Sequence, residues 1–334
     1  MQHLVAYSSL VDGAAIAAGS PYGCGSLQFS NYDCLHGLED GEVNQTIAYL
    51  WKRVQRGEID DPEHLKRTPV TLFVGKGDEN VYRKVMVQTR QQLLSFVDSS
   101  NLHSNFHTDA AHVWSVDHGR CRCGVCPYGS YARITCCSIN NCAFDLSGAF
   151  LRATYGAIQP RVPDNRRLHW INQTVYWPAS RALRDTVMQW AIAYVPEACE
   201  ARPSRCKLHV NYHGCIPPEW RGRLQWVRHL DLNEYAEANA IVVLYPQAQG
   251  SPQSGVGCWN WESYKDDPDF DTRRGCQLSM VMAMAADLDR AIAHALVSKG
   301  KSIPSIVRQT HRDTNYASYT YETTSYTYGS YSYT

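Results

Sequence analysis

The chain has 334 residues, with 32 basic and 32 acidic side chains and 44% apolar residues. That length and apolar content can build a sizeable core. The balanced charge offers no basic field to a nucleic acid, and no apolar run approaches the roughly 18 residues of a membrane span.

The opening, MQHLVAYSSLVDGAAIAAGSPYGC, is rich in small and apolar residues. It lacks a Lys or Arg ahead of them, and Asp12 interrupts them, so it does not read as a secretory signal. Instead QHLVAYSS has helical spacing, and VDGAAIAAG reads as a short buried strand ending in Gly. Residues 21–48 are turn-rich, and QTIAYLWKRVQR at 45–56 reads as a helix. PVTLFVGKGDENV predicts a strand and a Gly-rich turn, followed by a helix through VYRKVMVQTRQQLLSFV. TLFV is a continuous apolar run, as expected of a parallel strand buried on both faces.

Residues 101–142 read as irregular and are rich in His and Cys. A helix is predicted over 143–158, then a polar stretch, then strands in VMQWAIAYVP, CKLHVNYHG and AIVVLYPQA, with a helical segment at 221–239. Residues 250–276 are Gly- and Asp-rich and contain GCWNWESY. SMVMAMAADLDRAIAHALV is an amphipathic helix with Val281, Met284, Leu288, Ile292 and Ala295 on its core stripe. Alternating strands and helices define an α/β class with a mostly parallel sheet. The final YASYTYETTSYTYGSYSYT has no aliphatic residue, so it reads as a disordered tail.

The chain has 13 cysteines and no clean pair of C-x-x-C knuckles. Such a content, beside many Trp and Tyr, favours disulfides in an oxidising compartment over zinc thiolates. Asn44-Gln-Thr and Asn172-Gln-Thr fit the glycosylation pattern.

Two stretches carry chemistry. LFVGKGD puts Asp78 just past the carboxyl end of a strand, where active sites of open α/β sheets lie. HVNYHGC has the form of a strand-to-loop turn whose backbone N–H groups hold an oxyanion. Both have plainer readings: an Asp there is also an ordinary cap or turn residue, and His213-Gly214 a plain turn. A base is offered by His103, His107, His112 and His118, and pattern alone does not choose among them.

VAYSSLVDGAAIAAGSPYGC, LFVGKGDENV, the AHVW loop, NCAFDLSGAFLRATYG, YVPEACEARPSRCKLHVNYHGC, AIVVLYPQA and GVGCWNW match, in order and spacing, a known pattern across most of residues 3–295. The chain resembles the extracellular polyhydroxybutyrate depolymerases of the single-domain, circularly permuted α/β-hydrolase type. The resemblance implies a hydrolase domain over 1–299 and a tail over 300–334. It implies Asp78 as triad acid, His112 as general base, the Cys215 N–H as half of an oxyanion hole and Trp259 as a substrate contact. It further implies the disulfides Cys24–Cys34, Cys199–Cys206, Cys215–Cys258 and Cys126–Cys142, with neither metal nor cofactor. Asn260 stands where the family usually has Asp.

In that family the stretch matching QHLVAYSS follows the nucleophile elbow, a Gly-x-Ser-x-Gly turn. No serine of these 334 residues lies in such a turn, so the resemblance places the elbow before Met1. The expected protein is a secreted monomer of the polyester-hydrolysing type that lacks its nucleophile, as a fragment of an active enzyme or as a pseudoenzyme, with no nucleic-acid or membrane partner. The alternatives are a secreted esterase for small or feruloyl-type esters, and a non-catalytic binding protein using Trp259 and Trp261 as an aromatic platform.

Overall fold

A computed structural model of the chain describes residues 1–27, 29–124, 136–164, 166–178, 181–201, 206–216, 220–249, 257–261 and 267–294. The expected domain end, the tail and Cys126 lie outside them.

In chain order, α1 (Gln2–Ala6) precedes β1 (Ala14–Ala17), α2 (Asn31–His36), α3 (Glu42–Gln55), β2 (Val70–Phe73), α4 (Arg83–Leu93) and β3 (Leu102–Asn105). The short strands β4 (Trp114–Val116) and β5 (Ile139–Asn141) follow, then α5 (Leu146–Tyr155), β6 (Leu168–Asn172), β7 (Trp190–Tyr194) and α6 (Glu197–Ala201). The chain continues through β8 (Lys207–Val210), α7 (Trp220–His229), α8 (Leu232–Asn239), β9 (Ile241–Tyr245) and α9 (Cys276–His294).

Strands β1, β2 and β3 form one sheet with parallel ladders, and β4 pairs β5 in parallel. A second sheet runs β6-β7-β9-β8, antiparallel at β6–β7 and β7–β9 and parallel at β8–β9. Parallel ladders therefore predominate, as the sequence predicts. The polar stretch after residue 158 contains an unpredicted strand, β6. Its Leu168-His-Trp-Ile-Asn run is mostly half-buried, with no continuous apolar signal. Residues 101–142 are likewise not wholly irregular, but their strands are too short to leave a period.

Strand β2 is buried at every position, and Val70, Leu72 and Phe73 each contribute roughly 1.5–3 kcal/mol by leaving water. Helix α5 ties the sheets together. Asp145 caps it, accepting from Gly148 N–H at 2.7 Å. Phe150 and Leu151 then pack into a core shared with Phe73 of β2, Ile192 and Tyr194 of β7 and Tyr245 of β9. On its other side Phe150 stacks on His209 of β8, ring centroids 5.3 Å apart. Helix α9 covers the second sheet with Met284, Leu288 and Ile292. Strands β1 and β8 each stand at one end of their sheet.

One expected disulfide is corrected. Cys142 is bonded to Cys123, not to Cys126. The physical reason is strand register: the parallel bridge Arg122–Asn141 sets the next residues, Cys123 and Cys142, side by side. Cys121 pairs with Cys136. Cys24–Cys34, Cys199–Cys206 and Cys215–Cys258 are bonded as expected. Among the described cysteines of this cluster, Cys121, Cys123, Cys136 and Cys142 are thus held in disulfides.

Candidate active site

Asp78 stands on the turn after β2. The turn and the loop after β3 are laced together by backbone: Lys76 N–H donates to Thr108 O at 2.8 Å and Gly77 N–H to Ala110 O at 2.9 Å. The approach is so close that a Cβ on Gly75 would lie 2.1 Å from Ala110 O. Glycine is therefore required there, and the clamp fixes the spacing of Asp78 and His112.

The Asp78 carboxylate is buried, and its two oxygens have separate tasks. Oδ1 accepts from the backbone N–H groups of Asn80 (3.0 Å) and Val81 (2.8 Å). Oδ2 lies 2.9 Å from His112 Nδ1. A carboxylate so held keeps the imidazole proton on Nδ1 and leaves Nε2 as an acceptor. The His112 ring is 43% exposed, so Nε2 faces accessible space, and it has no hydrogen-bond partner among the described residues.

The other candidate histidines are placed elsewhere. His103 lies on β3 opposite Thr71, His107 is on the exposed loop beyond, and His118 sits 3.4 Å from Asp231. Asp117, His118 and Asp231 come close enough to hold a cation, but Arg161 donates to both carboxylates at 2.7 and 2.8 Å, so an ion-pair network occupies the position.

The second group lies at the end of β8. The ladder to β9 extends one step, Asn211 N–H to Leu244 O at 2.9 Å, and the chain then turns through Tyr212, His213 and Gly214. Cys215 is exposed, and its N–H donates to no acceptor among the described residues. The Cys215–Cys258 disulfide and the antiparallel bridge Ile216–Gly257 join this loop to the one carrying Trp259. Trp259 packs edge-on against Tyr212 (5.1 Å) and tilted against His213 (5.5 Å). Its indole N–H has no acceptor among the described residues. Trp261 packs instead against the Cys24–Cys34 cluster, so the two tryptophans do not share one core environment. The Asn260 N–H is held by Gln277 Oε1 of α9 at 2.7 Å.

Sequence reading missed Arg223, which lies fully buried behind the oxyanion-type loop. In Trp-Arg-Gly-Arg-Leu-Gln-Trp it reads as a solvated face of a helix.

Parallel strands with covering helices, and a strand-end Asp bonded to a His from the next loop, are the arrangement of the α/β-hydrolase fold. No family model matches the chain. It is 30% identical over 286 residues to a poly(3-hydroxybutyrate) depolymerase of Delftia acidovorans, covering 84% of this chain and 55% of that protein. It is 25% identical over 274 residues to a polyhydroxybutyrate depolymerase of Talaromyces funiculosus, covering 77% of this chain and 76% of that one. The crystal structure of a PHB depolymerase from Penicillium funiculosum superimposes with a TM-score of 0.70 at 25% identity, covering 85% of this chain and 89% of that one. A serine-to-alanine PHB depolymerase complexed with an R3HB trimer gives a TM-score of 0.72 at 24% identity with the same coverage, a likeness of fold. The chain belongs to the polyhydroxybutyrate depolymerase family. It spans about half the length of the Delftia relative.

Proposed function

We propose that these residues carry the acid–base pair, one oxyanion donor and the substrate loop of a hydrolase. Its substrate is the ester bonds of poly(3-hydroxybutyrate) or a related short-chain polyester. The observation that carries this is the Asp78–His112 hydrogen bond with the far carboxylate oxygen locked by two backbone N–H groups. In the reaction a serine attacks the ester carbonyl and His112 Nε2 takes its proton. Asp78 holds the ring and stabilises its cation, and the Cys215 N–H receives the developing oxyanion. Trp259 offers an aromatic face to the polymer chain.

The serine belongs to a Gly-x-Ser-x-Gly turn, which the 334 residues do not contain. We place that turn on a strand pairing with the free edges of β1 and β8, in a circularly permuted chain order. The disulfides favour secretion, and no described helix is long and apolar enough to cross a membrane.

The test compares the 334-residue chain with one carrying an added strand and turn, each with and without His112→Ala. Hydrolysis of 3-hydroxybutyrate oligomers only by the extended chain, lost with His112→Ala, supports the reading. Hydrolysis by the shorter chain that depends on His112 would require another nucleophile and refute it.

A further inference from the structure

Arg223 presents an energetic problem. Its side chain is completely buried, yet it makes no ion pair among the described residues. A buried guanidinium with no counter-charge is costly unless neutral acceptors hold it. Here Nη2 donates to Ile216 O (3.0 Å) and Ala248 O (2.7 Å), and Nη1 donates to His213 Nε2 at 2.5 Å. Burial lowers its pKa to about 9, which still leaves a cation at neutral pH.

These contacts fix the state of His213. Its Nε2 receives two donors, Arg223 Nη1 and the Ala248 N–H at 3.0 Å, so it is an acceptor. The ring is therefore neutral with its proton on Nδ1, and Nδ1 donates to Gly214 O at 2.6 Å. With its Nε2 lone pair occupied by these two donors, His213 is not free to act as a base. It also sets the next peptide plane. In a trans peptide the C=O and N–H point in opposite directions, and no peptide bond among the described residues is cis. Pulling the Gly214 carbonyl inward onto His213 turns the Cys215 N–H outward, where it meets no acceptor among the described residues.

We infer that Arg223 and His213 are positioning residues that aim and polarise the Cys215 N–H toward an oxyanion. The inference rests on the function proposed for Cys215. Each link is a hydrogen bond in which the upstream donor strengthens the next: guanidinium to imidazole, imidazole to carbonyl, and through the peptide to its N–H. A positive charge behind the loop favours a negative oxygen in front of it. The same guanidinium packs closely against the Trp259 loop: a Cβ on Gly257 would lie 2.0 Å from Arg223 Nη2.

The test is NMR of the ¹⁵N-labelled 334-residue chain titrated with 3-hydroxybutyrate, whose carboxylate stands in for the oxyanion. In the unmodified protein His213 shows the Nδ1–H tautomer, and the Cys215 amide shifts saturably. Arg223→Met moves the ligand-free Cys215 amide upfield and weakens binding about tenfold, the low end for losing a charge-assisted hydrogen bond. Arg223→Lys restores part of that. His213→Asn keeps a donor to Gly214 O but breaks the link to Arg223. It gives the intermediate result, and it carries the test if the Arg223 variants do not fold. An Nε2–H tautomer, or folded variants with unchanged binding beside a responsive Cys215, overturns this inference alone. A Cys215 amide indifferent to 3-hydroxybutyrate in the unmodified protein overturns the oxyanion reading and this inference with it.

Discussion

The two halves of the site are built by different means. The acid–base half spans residues 75–112, and its geometry is set almost wholly by local backbone hydrogen bonds between two adjacent parallel-strand turns. The half proposed for oxyanion and substrate joins residues 211–216 to 257–261, far apart in the chain. A disulfide, a bridge and a buried charge hold it. A locally built site tolerates strain elsewhere in the fold. A site assembled across the chain depends on each of its few ties.

The sharpest way to break the first half is Asp78→Asn. With Oδ1 still accepting from Asn80 and Val81 N–H, the new amide NH₂ must face His112 Nδ1. Nδ1 then becomes an acceptor, the proton moves to Nε2, and the ring cannot take a proton from serine. In a chain bearing the Gly-x-Ser-x-Gly turn, kcat falls about 10⁴-fold with little loss of stability. The ¹⁵N pattern of His112 reports the tautomer change directly, even without the serine. An unchanged His112 tautomer would mean that Asp78 does not orient the ring.

The second half breaks through its covalent tie. Cys215 and Cys258 close a loop of sequence separation 43, for which chain entropy predicts about 4 kcal/mol. Cys199 and Cys206, separated by 7, give about 2.4 kcal/mol on the same account. Urea melts of the two double-alanine variants should rank in that order. Only the first should also shift the fluorescence of Trp259. Equal losses, or an unmoved Trp259, would show that the bridge Ile216–Gly257 and Arg223 suffice to hold the loops.

This division also explains what could be read from sequence. VTLFVGKGD announces a buried strand and an acid at its end because both signals are contiguous. The choice of His112 over His103, His107 and His118 came from resemblance, since the Gly75–Ala110 approach that selects it joins residues with no shared local pattern. Cys123 against Cys126 is a question of strand register, and three-residue strands such as β4 and β5 leave no periodicity to settle it. Arg223 was invisible for a further reason. A charge is read as solvated unless its neutral acceptors, here carbonyls on two other loops, are known.

The smallest expected effect separates the halves by pH. His209 lies on β8, which delivers the oxyanion loop, and burial lowers its pKa from 6.5 to about 4. When unfolded, it titrates near 6.5. Between these values the unfolded chain binds a proton that the folded chain refuses. Stability therefore rises with pH across this window, is fully present above about 6.5, and is lost as pH falls toward 4. The slope is about 1.4 kcal/mol per pH unit for one proton. His213, also held neutral by burial and by Arg223, adds the same sign over a longer range. Urea melts at stepped pH should show His209→Gln with a slope shallower by about one proton than the unmodified chain. Hydrogen exchange at the acid end should show β8 opening before β2, whose strand has no buried histidine and whose exit turn is clamped by backbone. A His209→Gln slope equal to that of the unmodified chain, or β2 opening first, would place the acid-sensitive element in the other half of the site.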